Sequence, residues 1–353
     1  MVIAVRRVMM GLAIGTLLFQ GFPSMAEDDE ARIPTVFEIK NNDEIIRLEP
    51  LALVRLVYGW TPGAEKTEHE LDIKQARVGL NAAYAKMVEG EVQIDGADPD
   101  ILFAAWMRVR FADYLKLRAG LFKRPFYKLR MRSIADVEVI DRGTIDSDLK
   151  DGMDYTAQKT GAELEGTLAK KLKLKYRLGF FSDFAASRGY ASSNDLVALL
   201  SMEPIHEVEL GAAGEMKFLT NDNAFGDRTA AGDLFVGTHV RNWDAWLEGV
   251  VGQDPRYEGT PLFVGGIALV AYTIDVVDVR PLVGIRPVLR GEIMEPDTEV
   301  KDDLAWRVTA GMDFLFVYNL RIGLDAERIE YDRNNRDGAA DDYKVLALVG
   351  WAL

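Results

Sequence analysis

Ala105–Arg132 reads AWMRVRFADYLKLRAGLFKRPFYKLRMR. It holds nine basic residues, Arg108, Arg110, Lys116, Arg118, Lys123, Arg124, Lys128, Arg130 and Arg132, against Asp113 alone, in a chain whose net charge is -14. Arg108 and Arg110 alternate with Met107, Val109 and Phe111, and Lys116 and Arg118 alternate with Leu115, Leu117 and Ala119. A period of two belongs to a β-strand, whose successive side chains point to opposite faces. Two neighbouring strands therefore carry cations on one face and apolar side chains on the other.

The same period runs outward from this stretch. Alternating segments fall near 46–58, 71–87, 89–96, 101–111, 115–123, 156–167, 173–182, 195–203, 206–217, 232–241, 243–251, 262–272, 277–290, 302–314, 316–328 and 342–353. The connections alternate as well. Tight turns such as Val88-Glu89 and Ala112–Tyr114 take turns with long polar loops such as Gly59–Glu70 and Arg124–Tyr155. Short turns at one end and long loops at the other are the pattern of an antiparallel up-and-down transmembrane β-barrel of about 16 strands, an all-β fold. Each strand is expected to carry one wholly apolar face. On 302–314, for example, Trp306, Val308, Ala310, Met312 and Phe314 oppose Arg307, Thr309 and Asp313. A soluble β-sandwich would alternate in the same way. Against it stand the number of apolar faces that one core would have to bury and aromatics near strand ends, including Trp60, Tyr84, Trp106, Tyr176, Trp243, Trp306, Phe314, Tyr318 and Trp351.

Residues 1–26 read as an export signal, with basic Arg6 and Arg7, an apolar Val8–Phe19 and small residues at Ser24 and Ala26. Residues 27–45 form a short polar periplasmic lead-in, and 46–353 the barrel. No cysteine is present, which removes thiolate metal sites, thiol nucleophiles and disulfides. No later apolar run is long enough for a spanning helix. His69, His206 and His239 are scattered, no nucleophile elbow or phosphate loop occurs, and the acidic fragments Asp222-Asn223 and Asp332, Asn334 and Asn335 lack the rest of a calcium loop. The chain is read as neither an enzyme nor a cofactor protein, and its acidity argues against nucleic acid.

Leu117–Phe126, LRAGLFKRPF, resembles the R-x-G-x-F-K-x-P-F strand end of the phosphate-selective porin O and P family. The final strand, with Tyr343, Val345, Ala347, Val349, Trp351 and Leu353 on one parity, resembles the signal read by the barrel-assembly machinery, although that signal usually ends in Phe. The resemblance implies a homotrimeric porin of the Gram-negative outer membrane, set in lipid and lipopolysaccharide, passing small anions such as phosphate. It also implies that the long loop after the fifth strand, here 124–155, folds into the lumen.

The expected pore-lining, anion-binding residues are Arg108, Arg110, Lys116 and Arg118 on the strands, Arg124, Lys128, Arg130 and Arg132 with Arg142 on the loop, and Arg280, Arg286 and Arg290 on 277–290. A ring of fixed cations lowers the barrier for anions. The loop also holds Asp136, Glu138, Asp141, Asp146, Asp148, Asp151 and Asp154. A transverse field between basic wall and acidic loop, giving a weakly selective general porin, therefore stays open beside the anion channel, as does a structural barrel whose lumen is closed.

Overall fold

The structure is a computed structural model that describes residues 37–41, 44–62, 67–182, 193–219, 228–277, 279–332 and 342–353. The expected export signal and the fragments Asp222-Asn223 and Asn334-Asn335 lie outside them. A closed antiparallel barrel of 16 strands results. Its first eight are β1 (Glu44–Thr61), β2 (Glu68–Tyr84), β3 (Val88–Asp95), β4 (Leu102–Ala112), β5 (Leu115–Lys123), β6 (Gln158–Ala169), β7 (Leu174–Ser182) and β8 (Ser193–Ile205). The rest are β9 (Val208–Leu219), β10 (Arg228–Val240), β11 (Trp243–Gln253), β12 (Leu262–Tyr272), β13 (Leu282–Glu295), β14 (Ala305–Phe316), β15 (Leu320–Tyr331) and β16 (Asp342–Ala352). Each strand pairs with the next, and β16 returns to β1 with Trp351 opposite Val54. Closure leaves no free sheet edge. Phe37–Asn41 folds back on the start of β1, and Ile274–Asp275 pairs with β13.

The alternation places apolar side chains outward. Val54, Leu56, Tyr58 and Trp60 on β1, Leu247 and Val251 on β11, Val308 and Met312 on β14 and Tyr343, Val345 and Val349 on β16 are all exposed. An arginine among them at mid-membrane would cost about 2–4 kcal/mol. Two expectations change here. The segment expected at 277–290 becomes a strand only from Leu282, because Pro281 has no N–H to give to a ladder. Leu282 N donates instead to the Val279 carbonyl at 3.0 Å, so Val277, Val279 and Arg280 lie in the connection, where Arg280 is exposed to solvent and off the barrel wall. Trp106 does not join the outer aromatics. It shares the inward face with Arg108, and the Arg118 guanidinium lies 3.9 Å from its ring.

The inner face is not uniformly polar. On β12, Phe263, Ile267, Leu269 and Ala271 point inward and are buried, although the outward Val264 and Val270 are apolar too. Their cover is the segment between β5 and β6, which runs inside the barrel through two one-turn helices, α1 (Lys128–Met131) and α2 (Thr144–Ser147), and a π turn at Asp148–Gly152. Phe126, Tyr127, Leu129, Ile145, Leu149, Met153 and Tyr155 of this loop pack with Phe181, Val197, Phe235, Val250 and Phe263 of the wall in one apolar cluster. Tyr155 stands between Phe126 and Phe263, with ring centroids 5.8 and 6.1 Å away. The sector of the lumen beneath β7–β13 is therefore a packed core. β12 keeps the expected apolar outer face and adds an apolar inner one, because the loop covers its inner side.

Each fully buried Leu, Ile or Phe of this cluster contributes about 1.5–3 kcal/mol to holding the loop. Replacing Ile145 and Leu149 together by alanine should cost about 4–8 kcal/mol of loop docking. Limited proteolysis should then cut within 124–157 while the barrel stays intact, and single-channel conductance should rise. An uncut loop would show that the cluster does not hold it.

Candidate functional site

The loop is fastened at both stems. Arg124, which ends its first stem, donates to Asp195 at 2.6 Å and Glu215 at 2.5 Å, and also to Asp154 on the second stem. Lys159 lies 2.5 Å from Asp154 and 2.9 Å from Asp195, and Lys217 lies 3.0 Å from Asp154. Arg124 and the Asp195, Glu215, Lys159 and Lys217 partners on β6, β8 and β9 are almost completely enclosed. Arg124 was expected to line the pore; it is a tie between loop and wall. Burying a charge this deeply is tolerable only with such full pairing.

Gly120 lies within β5, opposite Trp106 on one side and Gly161 on the other. Its φ of +129° suits glycine, and a Cβ there would collide with the Ala105 carbonyl. Phe122 and Phe126 then enter the buried cluster, and Lys123 Nζ donates to the carbonyls of Arg130 and Arg132 at 3.1 and 3.0 Å. The Arg118–Phe126 motif thus has a structural reason for its Gly, Phe and Lys.

Across the lumen the loop meets the opposite wall. Ile140 N donates to Asp325 at 2.7 Å, Arg321 to the carbonyls of Val137 and Glu138 at 2.5 and 2.8 Å, and Arg55 to the Ile140 carbonyl at 2.6 Å. Glu248 accepts from Lys128 N and, at 3.0 Å, from Leu129 N, closing the start of α1.

The expected basic wall does face inward, but its charge is largely cancelled by neighbouring strands. Register sets Glu89, Arg108, Arg118 and Glu163 in one row across β3–β6, and Arg110, Lys116 and Glu165 in the next. Like charges opposite one another on β4 and β5 repel; the flanking acids relieve this. Arg108 bonds Glu89 and, at 2.8 Å, Glu165, with Lys116 3.9 Å from Glu165. Arg110 turns to Asp113 in the β4–β5 turn, and hydrogen bonds from Lys170 and Arg110 hold the Asp113 carboxyl down at about 2. Glu163 is taken by Arg177, through two bonds of 2.9 Å, which leaves Arg118 stacked on Trp106 and, at 4.3 Å, on Phe122. The acids that neutralise this wall thus come from β3, β6 and a turn, and not from the loop as the transverse field supposed.

The remaining candidates scatter. Lys128 pairs with Glu209 at 2.7 Å, Arg130 with Asp146 at 2.9 Å and Arg132 with Glu138 at 2.6 Å. Arg286 pairs with Asp313 at 2.9 Å. Arg290 is buried beneath the loop, donating to the Asp141 carbonyl and Thr309.

What stays open is a passage along β1–β5. A cavity of about 550 Å³ on the long-loop side is bounded by Arg55, Arg142, Glu68, Glu70 and Lys150, among others. One of about 400 Å³ on the turn side is bounded by Leu51, Glu91, Trp106 and Arg118. Both are lined by Arg77, Phe103, Lys123 and Gln158, which form the waist between them. Arg77 bonds Asp95 at 2.7 Å and lies 3.6 Å over Phe103. Arg142 donates to the carbonyls of Leu129 and Arg132 at 2.5 and 2.6 Å, and Arg55 to Gln75 at 2.8 Å. Among the described residues, Arg55, Arg118, Lys123 and Arg142 have no carboxylate within ion-pair distance. Arg55, Arg77 and Lys123 were absent from the expected lining; the parity of β1 puts Arg55 beside inward Leu53 and Val57, where the strand reads as apolar throughout. Among the described residues no three His, Asp or Glu side chains are grouped to hold a metal ion.

Arg124→Ala leaves three buried carboxylates facing two lysines and should cost about 3–5 kcal/mol. Arg108→Gln, at a part-exposed pair, should cost at most about 1 kcal/mol. Urea unfolding in detergent micelles checks the contrast, and equal losses would mean that the stem cluster adds nothing special.

No protein-family model matches the chain, and no curated protein matches it in sequence. Solved structures share its fold. OmpF of Salmonella typhi, solved with daunomycin, matches with a TM-score of 0.71 over 90% of this chain and 100% of its own, at 12% identity. OmpT of Vibrio cholerae in its trimer form matches with a TM-score of 0.62 over 87% and 99% of the two chains, at 10% identity. An anion-selective porin from Comamonas acidovorans matches with a TM-score of 0.60 over 87% and 100%, at 9% identity. At such identities the likeness is one of architecture: this chain has the fold of bacterial outer-membrane porins.

Proposed function

We propose that the chain is an outer-membrane porin through which small hydrophilic solutes diffuse passively, with anions favoured at the waist. The observation that carries the sign is the way Lys123 at the waist and Arg142 and Arg55 on its long-loop side are held. Lys123 and Arg142 are fixed by backbone carbonyls, which orient a cation without cancelling its charge, and Arg55 is held by an amide and a carbonyl. In a narrow passage such charge is poorly screened and lowers the barrier for anions. Acids at the long-loop mouth, Glu68, Glu70 and Asp151, oppose it there and keep the preference moderate. The Comamonas acidovorans porin supports the anion reading by analogy, and the trimer form of Vibrio cholerae OmpT supports a homotrimer. Phosphate is the anion that the resemblance at Leu117–Phe126 favours. The paired state of Arg108, Arg110 and Lys116 favours the weakly selective alternative, so the two readings differ in degree at the waist.

Reversal potentials in a potassium chloride gradient test this. The wild-type channel should favour chloride, and Lys123→Glu should lower the chloride-to-potassium ratio by about tenfold, the effect of about 1.4 kcal/mol in the barrier. Removing a neutral pair, Arg108→Gln with Glu165→Gln, should change the ratio little. A wild-type preference for potassium would defeat the anion reading.

A further inference from the structure

We infer that the turn-side cavity selects organic anions that join a carboxylate to a flat apolar body, an aromatic acid above all, over compact inorganic anions. This deepens the channel reading above and rests on it. The cavity of about 400 Å³ joins a stacked guanidinium that no carboxylate holds to an apolar stretch of wall. Two of its cations stand on aromatic rings: Arg118 lies 3.9 Å from the Trp106 ring and 4.3 Å from that of Phe122, and Arg77 lies 3.6 Å from Phe103. About half of the remaining lining is aliphatic, with Leu51, Leu53 and Met131, and Asn81, Gln93, Ser133 and Gln158 are among its polar part.

The chemistry of a stacked guanidinium points to the ligand. Stacking occupies its face and leaves its N–H edge free for a bidentate carboxylate. Arg118 is the open one: no carboxylate pairs with it among the described residues, and although its Nε–H is buried, its two terminal nitrogens are not, so a ligand carboxylate would meet that end of the fork. Arg77 already gives Nε–H to Asp95, and Arg177, which also reaches this cavity, is held by Glu163. Glu91 is the opposing charge on the same wall, and Arg118 and Lys123 both lie within its field. Two unpaired cations thus outweigh one acid. A carboxylate on Arg118 would set its ring against the edge of Trp106 or the face of Phe103, where aromatic pairs add about 0.5–1.5 kcal/mol beyond buried area. Phosphate uses the cations and leaves the apolar wall wet. The long-loop cavity shares only the Arg77–Phe103 stack, whose Nε–H Asp95 already takes, and its mouth carries Glu68, Glu70, Lys150 and Asp151.

The full chain in planar bilayers tests this with sodium benzoate and inorganic phosphate as blockers of chloride current. Benzoate should block saturably at concentrations about tenfold below phosphate, the ratio that 1.4 kcal/mol gives. Trp106→Leu and Phe103→Leu should each lower this benzoate-to-phosphate preference several-fold, and Arg118→Gln should abolish benzoate block. Equal block by the two anions in a chloride-selective wild type, or a preference unmoved by both aromatic variants, overturns the inference and leaves the porin reading standing. A potassium-selective wild type defeats the porin's anion reading instead. Calorimetric titration of detergent-folded protein then decides the site by itself: benzoate binding lost in Arg118→Gln sustains it, and no binding overturns it.

Discussion

Backbone N–H and C=O groups cannot be left unpaired in hydrocarbon, and this constraint shapes every level of the molecule. A sheet meets it only by closing, as β16 does on β1. Closure makes every strand two-faced, so the period of two in the sequence follows from the barrel's need for an apolar outside. With sixteen strands it also creates an interior wider than the wall's own side chains can fill, which the chain must fill, line or leave wet. Here it does all three in different sectors. Beneath β7–β13 the loop packs a dry cluster around Leu149 and Phe263; at its stems Arg124 and its partners form an enclosed ionic cluster; along β1–β5 a passage stays open.

The dry cluster and the ionic cluster have different consequences. Apolar packing is non-directional and holds the loop down without fixing its register. The stem cluster is directional: Asp154 must meet Lys159, Lys217 and Arg124 together, and any slip leaves a charge buried and unpaired. The far contacts, Ile140 to Asp325 and Arg321 to Val137, then fix where the middle of the loop crosses. The position of the waist follows from these constraints, because Lys123 at the end of β5 can reach the carbonyls of Arg130 and Arg132 only when the loop lies in this register.

The frame was legible in the sequence because alternation is local. Trp306 to Phe314 reads as one outer face from nine residues, without knowledge of the rest of the chain, and the inward turn of Arg108 and Arg118 follows from Met107 and Leu117 in the same way. What was not legible depends on partners distant in sequence. Glu165 is 57 residues from Arg108, and only the registers of β4, β5 and β6 bring them together. Arg124 resembles its basic neighbours until Asp195 and Glu215 arrive from β8 and β9. The inner apolar face of β12 was visible in its composition, LFVGGIALVAY, but its meaning needed the loop that covers it. Arg280 was misplaced for a local reason that could have been read: Pro281 interrupts the ladder one residue later.

These pairings change what a count of basic residues says about a pore. Nine cations in Ala105–Arg132 suggest a strongly positive wall, yet Arg108, Arg110 and Lys116 each face an acid, and Arg124, Lys128, Arg130 and Arg132 each hold one. A paired cation presents a dipole to the lumen, and its field falls away within a short distance. A cation held by carbonyls or by an aromatic face keeps a net charge, since those partners contribute dipoles and quadrupoles only. Lys123, Arg142, Arg55 and Arg118 belong to this second kind, and all four line the passage. On the proposed channel reading, the selectivity of such a lumen is set less by how many arginines it contains than by which of them the fold leaves with neutral partners.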